Sequence, residues 1–380
     1  MIRVLHLVTW LEPGGLETWL LSMLKEIPSD KVRMDFCCKG PSVGALAAIA
    51  RQGGARVLHC PLRPDHVGFV RGVGKVIRDG GYDVLHNHLE AYSGVGAWVG
   101  RRQGLPVISS FHNTEFAPQT WTRSPGLRGL RAAYARVSRR CAVKWSRYVT
   151  GCSRAVLNRV APGLEAGPGG RVLPYGVRPG SRAGESNRAA LRHEMGWPRE
   201  AAVVVHIGRM VEQKNHEGVL AVFGRVIGAM PRARLLCVGD GPLRPSIERR
   251  IARDGLSGYA RCVGIRGDAI ELLRGSDVLL LPSRHEGLPL VALEAGAVGV
   301  PVVGSDIPGL DEIVRHGETG ALHVVDDVEG MARSVVSLLA DRARADRLGE
   351  AGRRWVSERF SVRASADRLE GLYRECIGLG

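Results

Sequence analysis

The chain has 380 residues, 44% hydrophobic and 24% charged, with a formal net charge of +15 and an aromatic content of only 5%. That length and composition predict two globular domains and exclude a disordered chain. The longest apolar tract, 277 to 304, is broken by Arg284, His285, Glu286 and Glu294, so it is no membrane span, and few aromatics with no recognised motif argue against nucleic acid.

Strand-like apolar runs alternate with helical stretches in the first half, at 3 to 9, 33 to 38, 55 to 60, 83 to 88, 106 to 111 and 147 to 152. This rhythm predicts a doubly wound parallel sheet. From Phe116 to Leu164, a segment that includes the last of these runs, there is no acidic residue, while Arg123, Arg128, Arg131, Arg136, Arg139, Arg140, Lys144, Arg147, Arg154 and Arg159 are all cationic. Leu127, Leu130, Tyr134, Val137, Cys141 and Trp145 recur within it at three- and four-residue steps, which predicts an amphipathic helix with a cationic outer face. Such a face suits anionic lipid headgroups or an acidic acceptor, and equally a solvated surface.

A Pro-, Gly- and Arg-rich segment, 174 to 185, reads as an interdomain linker. The alternation then resumes at 203 to 208, 234 to 239, 260 to 264, 277 to 282, 301 to 304 and 321 to 325. After Phe360, Ser361 can cap a last helix with Ala364, Leu369, Leu372 and Tyr373 on an apolar face. Residues alone leave open which domain that helix completes. The eight cysteines have no zinc spacing and read as reduced interior thiols, and the N-terminus enters a strand at once without a signal-peptide layout. A cytoplasmic protein is expected, with peripheral attachment to the inner membrane face through the basic region.

Open α/β sheets bind ligands beyond the carboxyl ends of their strands. At one such end lies His285-Glu-Gly-Leu-Pro-Leu-Val-Ala-Leu-Glu-Ala295. Pro289 suits the first turn of a helix running to about Gly299, whose amino terminus is an anion site. Glu286 lies above that terminus and Glu294 about one and a half turns inside the helix. Each carboxylate can grip hydroxyls of one extended ligand, or both can be solvated charges. Gly208-Arg209-Met-Val-Glu-Gln-Lys214 follows another strand, where arginine and lysine together can neutralise a diphosphate. Pro13-Gly14-Gly15-Leu16-Glu17 follows the first strand, and Ser109-Ser-Phe-His112-Asn113 ends a later one. His86 and His88 face one side of a strand, as metal ligands could, but no third ligand of suitable spacing is evident. Gly72-Val-Gly-Lys75 is not a complete P-loop, and Val238-Gly-Asp-Gly-Pro242 lacks dinucleotide spacing.

The order of these motifs resembles the retaining glycosyltransferases of the GT-B fold, family 4, with their G-R-x4-K and E-x7-E motifs. The resemblance implies two Rossmann-like domains facing across a cleft: an acceptor domain, 1–178, and a nucleotide-sugar domain, 179–360, with the terminal helix 361–380 packing back on the first. It implies that Glu286 contacts the transferred sugar and Glu294 the nucleotide ribose, while the amides of Gly287, Leu288, Leu290 and Val291 meet sugar and diphosphate. Arg209 and Lys214 correspond to diphosphate contacts, and Ile265, in Gly264-Ile265-Arg266, to a main-chain cradle for the base. The loop with Gly14 and Gly15 closes over the donor from the acceptor side, and His112 lies close to the donor sugar. Two departures stand out: Asn113 replaces the aspartate that commonly follows this histidine, and Tyr175 and Arg178 replace a frequent asparagine and aspartate in Leu173-Pro-Tyr-Gly-Val177.

The implied activity is retaining transfer of a hexose-type sugar from a nucleotide diphosphate, most commonly UDP, to a hydroxyl of a glycan, lipid-linked or small-molecule acceptor. Catalysis would rest on His112, Glu286, Arg209 and Lys214, with no metal or cofactor. A non-catalytic nucleotide-sugar or polyanion-binding protein at membrane surfaces is the alternative.

Overall fold

The structure, a computed structural model, describes residues 1–62, 65–115, 128–181 and 184–379. The chain divides into two compact units, one formed by Met1–Gly176 with the segment from Val362 onward, the other by Val177–Ser361.

The first unit holds seven parallel strands: β1 (Ile2–Val8), β2 (Val32–Cys38), β3 (Val57–His59), β4 (Val84–Asn87), β5 (Val107–Phe111), β6 (Tyr148–Gly151) and β7 (Gly170–Val172). Their order is β3-β2-β1-β4-β5-β6-β7. The connecting helices are α1 (Gly15–Glu26), α2 (Ala47–Gln52), α3 (His66–Gly80), α4 (Ser93–Arg102), α5 (Arg128–Trp145) and α6 (Arg154–Val160). The sequence pattern misses β7, a three-residue edge strand with one β-branched side chain, too short for any periodicity to register.

In the second unit, α7 (Glu185–Glu194) precedes six parallel strands: β8 (Ala202–Ile207), β9 (Ala233–Val238), β10 (Ala260–Cys262), β11 (Val278–Leu281), β12 (Val302–Ser305) and β13 (Gly320–His323). They are ordered β10-β9-β8-β11-β12-β13. Around them lie α8 (His216–Ala229), α9 (Arg244–Arg253), α10 (Ala269–Gly275), α11 (Leu290–Ala297), α12 (Val328–Ala340) and α13 (Arg342–Arg359). All four residues of β11 are fully buried, as a strand covered by helices on both faces requires. In each sheet the order reverses at the first strand, between β1 and β4 and between β8 and β11, which is where a crevice opens at the carboxyl ends.

The last helix, α14 (Val362–Cys376), belongs to the first unit. Ser365 fixes it there: its hydroxyl accepts from Trp19 Nε1 at 2.9 Å and donates to the Pro174 carbonyl at 2.9 Å, while Leu369 and Tyr373 are fully buried.

α5 corrects the sequence pattern. Its packed face is Ala135, Ser138 and Ala142, not the stripe of large apolar residues. The small residues allow close approach to α4, where a Cβ on Gly94 would stand 2.5 Å from the Ser138 carbonyl oxygen. Of the predicted stripe, Leu130 and Val137 are turned outward, 70% and 57% exposed, while Tyr134, Cys141 and Trp145 are half-buried, Tyr134 against Tyr92 and His66. Residues 116 to 127 of the basic region, including Arg123 and Leu127, lie outside the described residues.

Gly94→Val should therefore lower stability by about 2–3 kcal/mol through main-chain overpacking. A thermal melt of the purified variant within a degree of wild type would contradict this packing.

Candidate active site

In the second unit the site grows from two loops at the switch point. The β8 loop carries Arg209 and Lys214 and ends at Asn215, whose left-handed backbone (φ 50°) caps α8 through its side chain on the Gly218 amide. The same side chain donates to the Pro282 carbonyl at 2.9 Å, and the Arg284 amide donates to the Gln213 carbonyl at 2.9 Å. These bonds stitch the β8 loop to the β11 loop. From behind, the β9 turn presses on the Arg209 segment: Gly239 has φ 125°, and any Cβ there would collide with the Gly208 carbonyl.

The two loops bring charge together. Lys214 Nζ lies 2.6 Å from Glu286 Oε1, with both side chains largely buried. Gln213 Nε2 donates to the His285 carbonyl at 3.0 Å, which steadies the turn ahead of Glu286. Arg209 is exposed and its guanidinium makes no ion pair among the described residues.

Pro289 occupies the N-cap of α11 and not its first turn, with extended backbone (ψ 106°), so Leu290 and Val291 open the helix. Their amides, like all first-turn amides, have no carbonyl four residues back. Gly287 and Leu288 are buried in the approach, and Gly309, at φ 92°, lets the β12 loop close against the Gly287 carbonyl. Glu294 lies one turn further in. Burial pushes its carboxyl up to about 7, and no described residue donates to it. Ile265 follows β10 with its side chain 61% exposed.

In the first unit Gly14, with extended backbone, is the N-cap of α1, and Gly15 is the helix's first residue. At the end of β5, both ring nitrogens of His112 are engaged inside the protein: Nδ1 with the Tyr175 hydroxyl at 2.9 Å and Nε2 with His88 Nδ1 at 2.9 Å. The imidazole partner left open by Asn113 is thus supplied by Tyr175, one of the residues that departs from the family pattern. Burial holds His112 down at about 3, so it is neutral. Its backbone N–H donates to Glu90 Oε1 at 2.7 Å.

His86 and His88 do have a third histidine beside them, correcting the sequence expectation. Parallel pairing of β1 and β4 sets His6 opposite His86, and ring nitrogens of all three lie within 4.8 Å of one another. His6 lies 80 residues from His86 and joins it only through the strand register, which no local pattern encodes.

A cavity of about 790 Å³ lies near Asp83, Pro106 and Arg147, before β4, β5 and β6. It opens at the amino ends of those strands, away from the crevice where such sheets bind ligands.

Two family models match the chain, Glycosyltransferase Family 4 over residues 13–179 and Glycosyl transferases group 1 over residues 187–355, together most of its length. The chain belongs to the group 1 glycosyltransferases of GT-B fold. It is 26% identical over 298 residues to the N-acetyl-alpha-D-glucosaminyl L-malate synthase of Bacillus anthracis, covering 78% of this chain and 75% of that one. With the D-inositol 3-phosphate glycosyltransferase of Thermobispora bispora it shares 26% identity over 399 residues, 96% of this chain and 91% of the relative. The crystal structure of Anabaena Alr3699/HepE in complex with UDP and glucose has the same fold, with a TM-score of 0.83 at 20% identity over 99% of this chain and all of the other.

In this glycosyltransferase two further features escaped the sequence. Glu90 sits in left-handed backbone (φ 50°), and burial pushes its carboxyl up to about 8 while Oε2 has no partner among the described residues. Strain and an unsatisfied polar atom on one residue are marks of a working position; an acidic residue two places after a strand-end histidine was the available signal. Beneath Lys214, His206 and His216 pack edge to face at 4.6 Å. Burial holds both below the ordinary imidazole range, so they add no charge beside the lysine.

Glu294 yields a stability prediction. Its folded pKa near 7 exceeds the ordinary 4.5, so the folded state binds the proton more tightly, and this contribution is complete below about 4.5 and lost as pH rises through 7. Glu294→Gln should be more stable than wild type by about 1–2 kcal/mol at pH 8, discounted for residual solvent contact, with the gain fading toward pH 4.5. Equal melting temperatures at pH 8 would mean that the carboxyl is not desolvated.

Proposed function

We propose that this glycosyltransferase is retaining and moves a hexose-type sugar from a UDP-sugar to a hydroxyl of a glycan, lipid-linked or small-molecule acceptor. The observation that carries the donor assignment is the Lys214–Glu286 pair at 2.6 Å beside the open amides of α11, with the Arg209 guanidinium exposed on the same loop as Lys214. A cation, a hydroxyl-gripping carboxylate and a helix amino terminus together match a phosphorylated sugar. Related proteins support the choice: one relative makes an N-acetyl-glucosaminyl product, and Anabaena HepE is described with UDP-glucose.

On this reading Arg209, Lys214 and the amides of Gly287, Leu288, Leu290 and Val291 hold the diphosphate. Glu286 grips the sugar hydroxyls and Glu294 the ribose. Ile265 lies beside the base, and Gly14, Gly15 and His112 belong to the sugar and acceptor side. The bond from the anomeric carbon to the β-phosphate oxygen breaks, leaving negative charge on the phosphate and positive charge on the carbon. Arg209, Lys214 and the helix dipole stabilise the leaving group as its charge develops. The acceptor hydroxyl attacks from the face the diphosphate leaves, and a phosphate oxygen takes its proton, so neither a protein nucleophile nor a metal is required. Lys214→Ala should lower kcat by about 10²–10³-fold, and Glu286→Ala by a similar factor. Screening nucleotide sugars for transfer and for release of nucleotide diphosphate tests both; turnover unaffected by either change would sink the assignments.

The acceptor side draws on α5. Its apolar residues Val137 and Trp145 line a cavity of about 300 Å³ with Val70, Val95 and Trp98, and the same helix exposes Arg136, Arg140 and Lys144. Apolar surface rimmed by cations suits an anionic bilayer, and the proposal therefore puts the enzyme at the inner membrane face. Co-sedimentation with vesicles containing anionic lipid, weakened several-fold by Arg136→Glu with Arg140→Glu and by added salt, is the expected result. Equal binding to neutral vesicles would remove the membrane assignment.

A further inference from the structure

Four histidines of the first unit form one hydrogen-bonded chain. It starts at the Tyr175 hydroxyl, passes through His112 to His88, and continues from His88 Nε2 to His6 Nδ1 at 3.1 Å. His6 Nε2 meets the Tyr373 hydroxyl of α14 at 3.2 Å, and that hydroxyl meets His86 Nδ1 at 2.8 Å. His86 Nε2 ends the run at Ser110 Oγ, 2.6 Å away, which is bonded in turn to Thr150. His6, His86 and Tyr373 are fully buried and His88 nearly so. The ring planes are aligned as well: His6 lies within 5° of parallel to His88, and His112 within 15° of parallel to Tyr175.

Proton bookkeeping constrains this chain tightly. A neutral imidazole carries one N–H and one lone pair, and a tyrosine hydroxyl carries one proton. His112, His88 and His6 are joined ring to ring and each is used at both nitrogens, so the direction of one bond dictates the others among these three. If Tyr175 donates to His112 Nδ1, all three carry their protons on Nε2, and if the run is reversed, all three carry them on Nδ1. His86 is joined through the Tyr373 hydroxyl, whose oxygen could accept from both rings, but that would leave the buried Tyr373 proton without an acceptor among the described residues. With that proton used, His86 takes the same tautomer as the other three.

We propose that Tyr373, His6 and His88 are positioning residues for His112, and that the chain locks all four histidines into one shared tautomer and fixes the strand-end imidazole from the C-terminal helix. The chain runs through uncharged groups throughout, since burial holds each imidazole well below its ordinary range. That neutrality has a chemical use: an imidazolium beside an anomeric carbon gaining positive charge would oppose the transition state, whereas an oriented neutral dipole does not. This use rests on the assignment of His112 to the sugar side. The shared tautomer does not, because it follows from the hydrogen bonds alone.

The same three histidines, with ring nitrogens within 4.8 Å, invite a divalent metal as the competing occupant. A metal would take lone pairs that the chain already commits, so the two cannot coexist.

The experiment is nitrogen-15 NMR of the imidazoles in the full chain, wild type and Tyr373→Phe. Wild type should show four neutral rings with one tautomer in common, and metal analysis of the purified protein should find no stoichiometric zinc. In Tyr373→Phe the ring nitrogens of His112 should shift although three hydrogen bonds separate it from residue 373, and kcat should fall about tenfold with the donor KM within about twofold of wild type. Mixed tautomers in wild type, stoichiometric zinc on the histidines, or unchanged His112 signals in a folded variant would overturn the proposal. The wild-type spectrum decides it even if Tyr373→Phe does not fold. If no nucleotide sugar is turned over, the functional reading fails while the spectra still judge the chain.

Discussion

The contact between Lys214 and Glu286 is the constraint around which the second unit is arranged. The two residues lie 72 positions apart in the chain, on loops after β8 and β11, strands that are neighbours in the sheet. Taking both charges out of water costs several kcal/mol before their attraction returns it, so such a pair contributes little net stability. What it does contribute is geometry. It holds the Lys214 ammonium in place on the loop beside Glu286, three residues before the N-cap of α11, and the Asn215 and Arg284 bonds serve the same end.

The first unit solves its polar problem in the opposite way. Where the second buries opposite charges side by side, the first buries rings that carry none, and lets hydrogen bonds alone satisfy them. The difference follows from what each sheet places at its switch point. Loops after β8 and β11 carry a lysine and a glutamate that can pair, whereas the histidines of β1 and β4 can shed their proton when burial demands it. The C-terminal helix is part of that solution, since without Tyr373 both His6 Nε2 and His86 Nδ1 would be buried without a partner.

Much of this was legible in the sequence, for reasons that can be stated. Strands such as β8 and β11 are continuous apolar runs because helices cover both faces, and a run of that kind is visible one residue at a time. The loops were legible because glycine, proline and charge mark the strand ends. What the sequence concealed depends on register. His6 joins His86 only because β1 pairs with β4 at that offset, and Tyr175 reaches His112 only through the fold. Glu90 was hidden for a related reason: its backbone strain and its orphan oxygen exist only in three dimensions.

α5 shows how a correct period can mislead about the packed face. The stripe Leu130, Tyr134, Val137, Cys141 has helical spacing, and the helix is there, yet close packing selects the small residues one step away. Ser138 meets Gly94 backbone to side chain, with its hydroxyl accepting from the Gly94 amide at 2.9 Å. A stripe displaced from the core in this manner leaves Leu130 and Val137 facing outward on the same helix as the exposed Arg136, Arg140 and Lys144. Hydrophobic burial would favour rotating the helix inward by about 25 cal/mol for each Å² of apolar surface covered. The α4 contact opposes that rotation, because the approach of Gly94 to the Ser138 backbone admits only small side chains between the two helices.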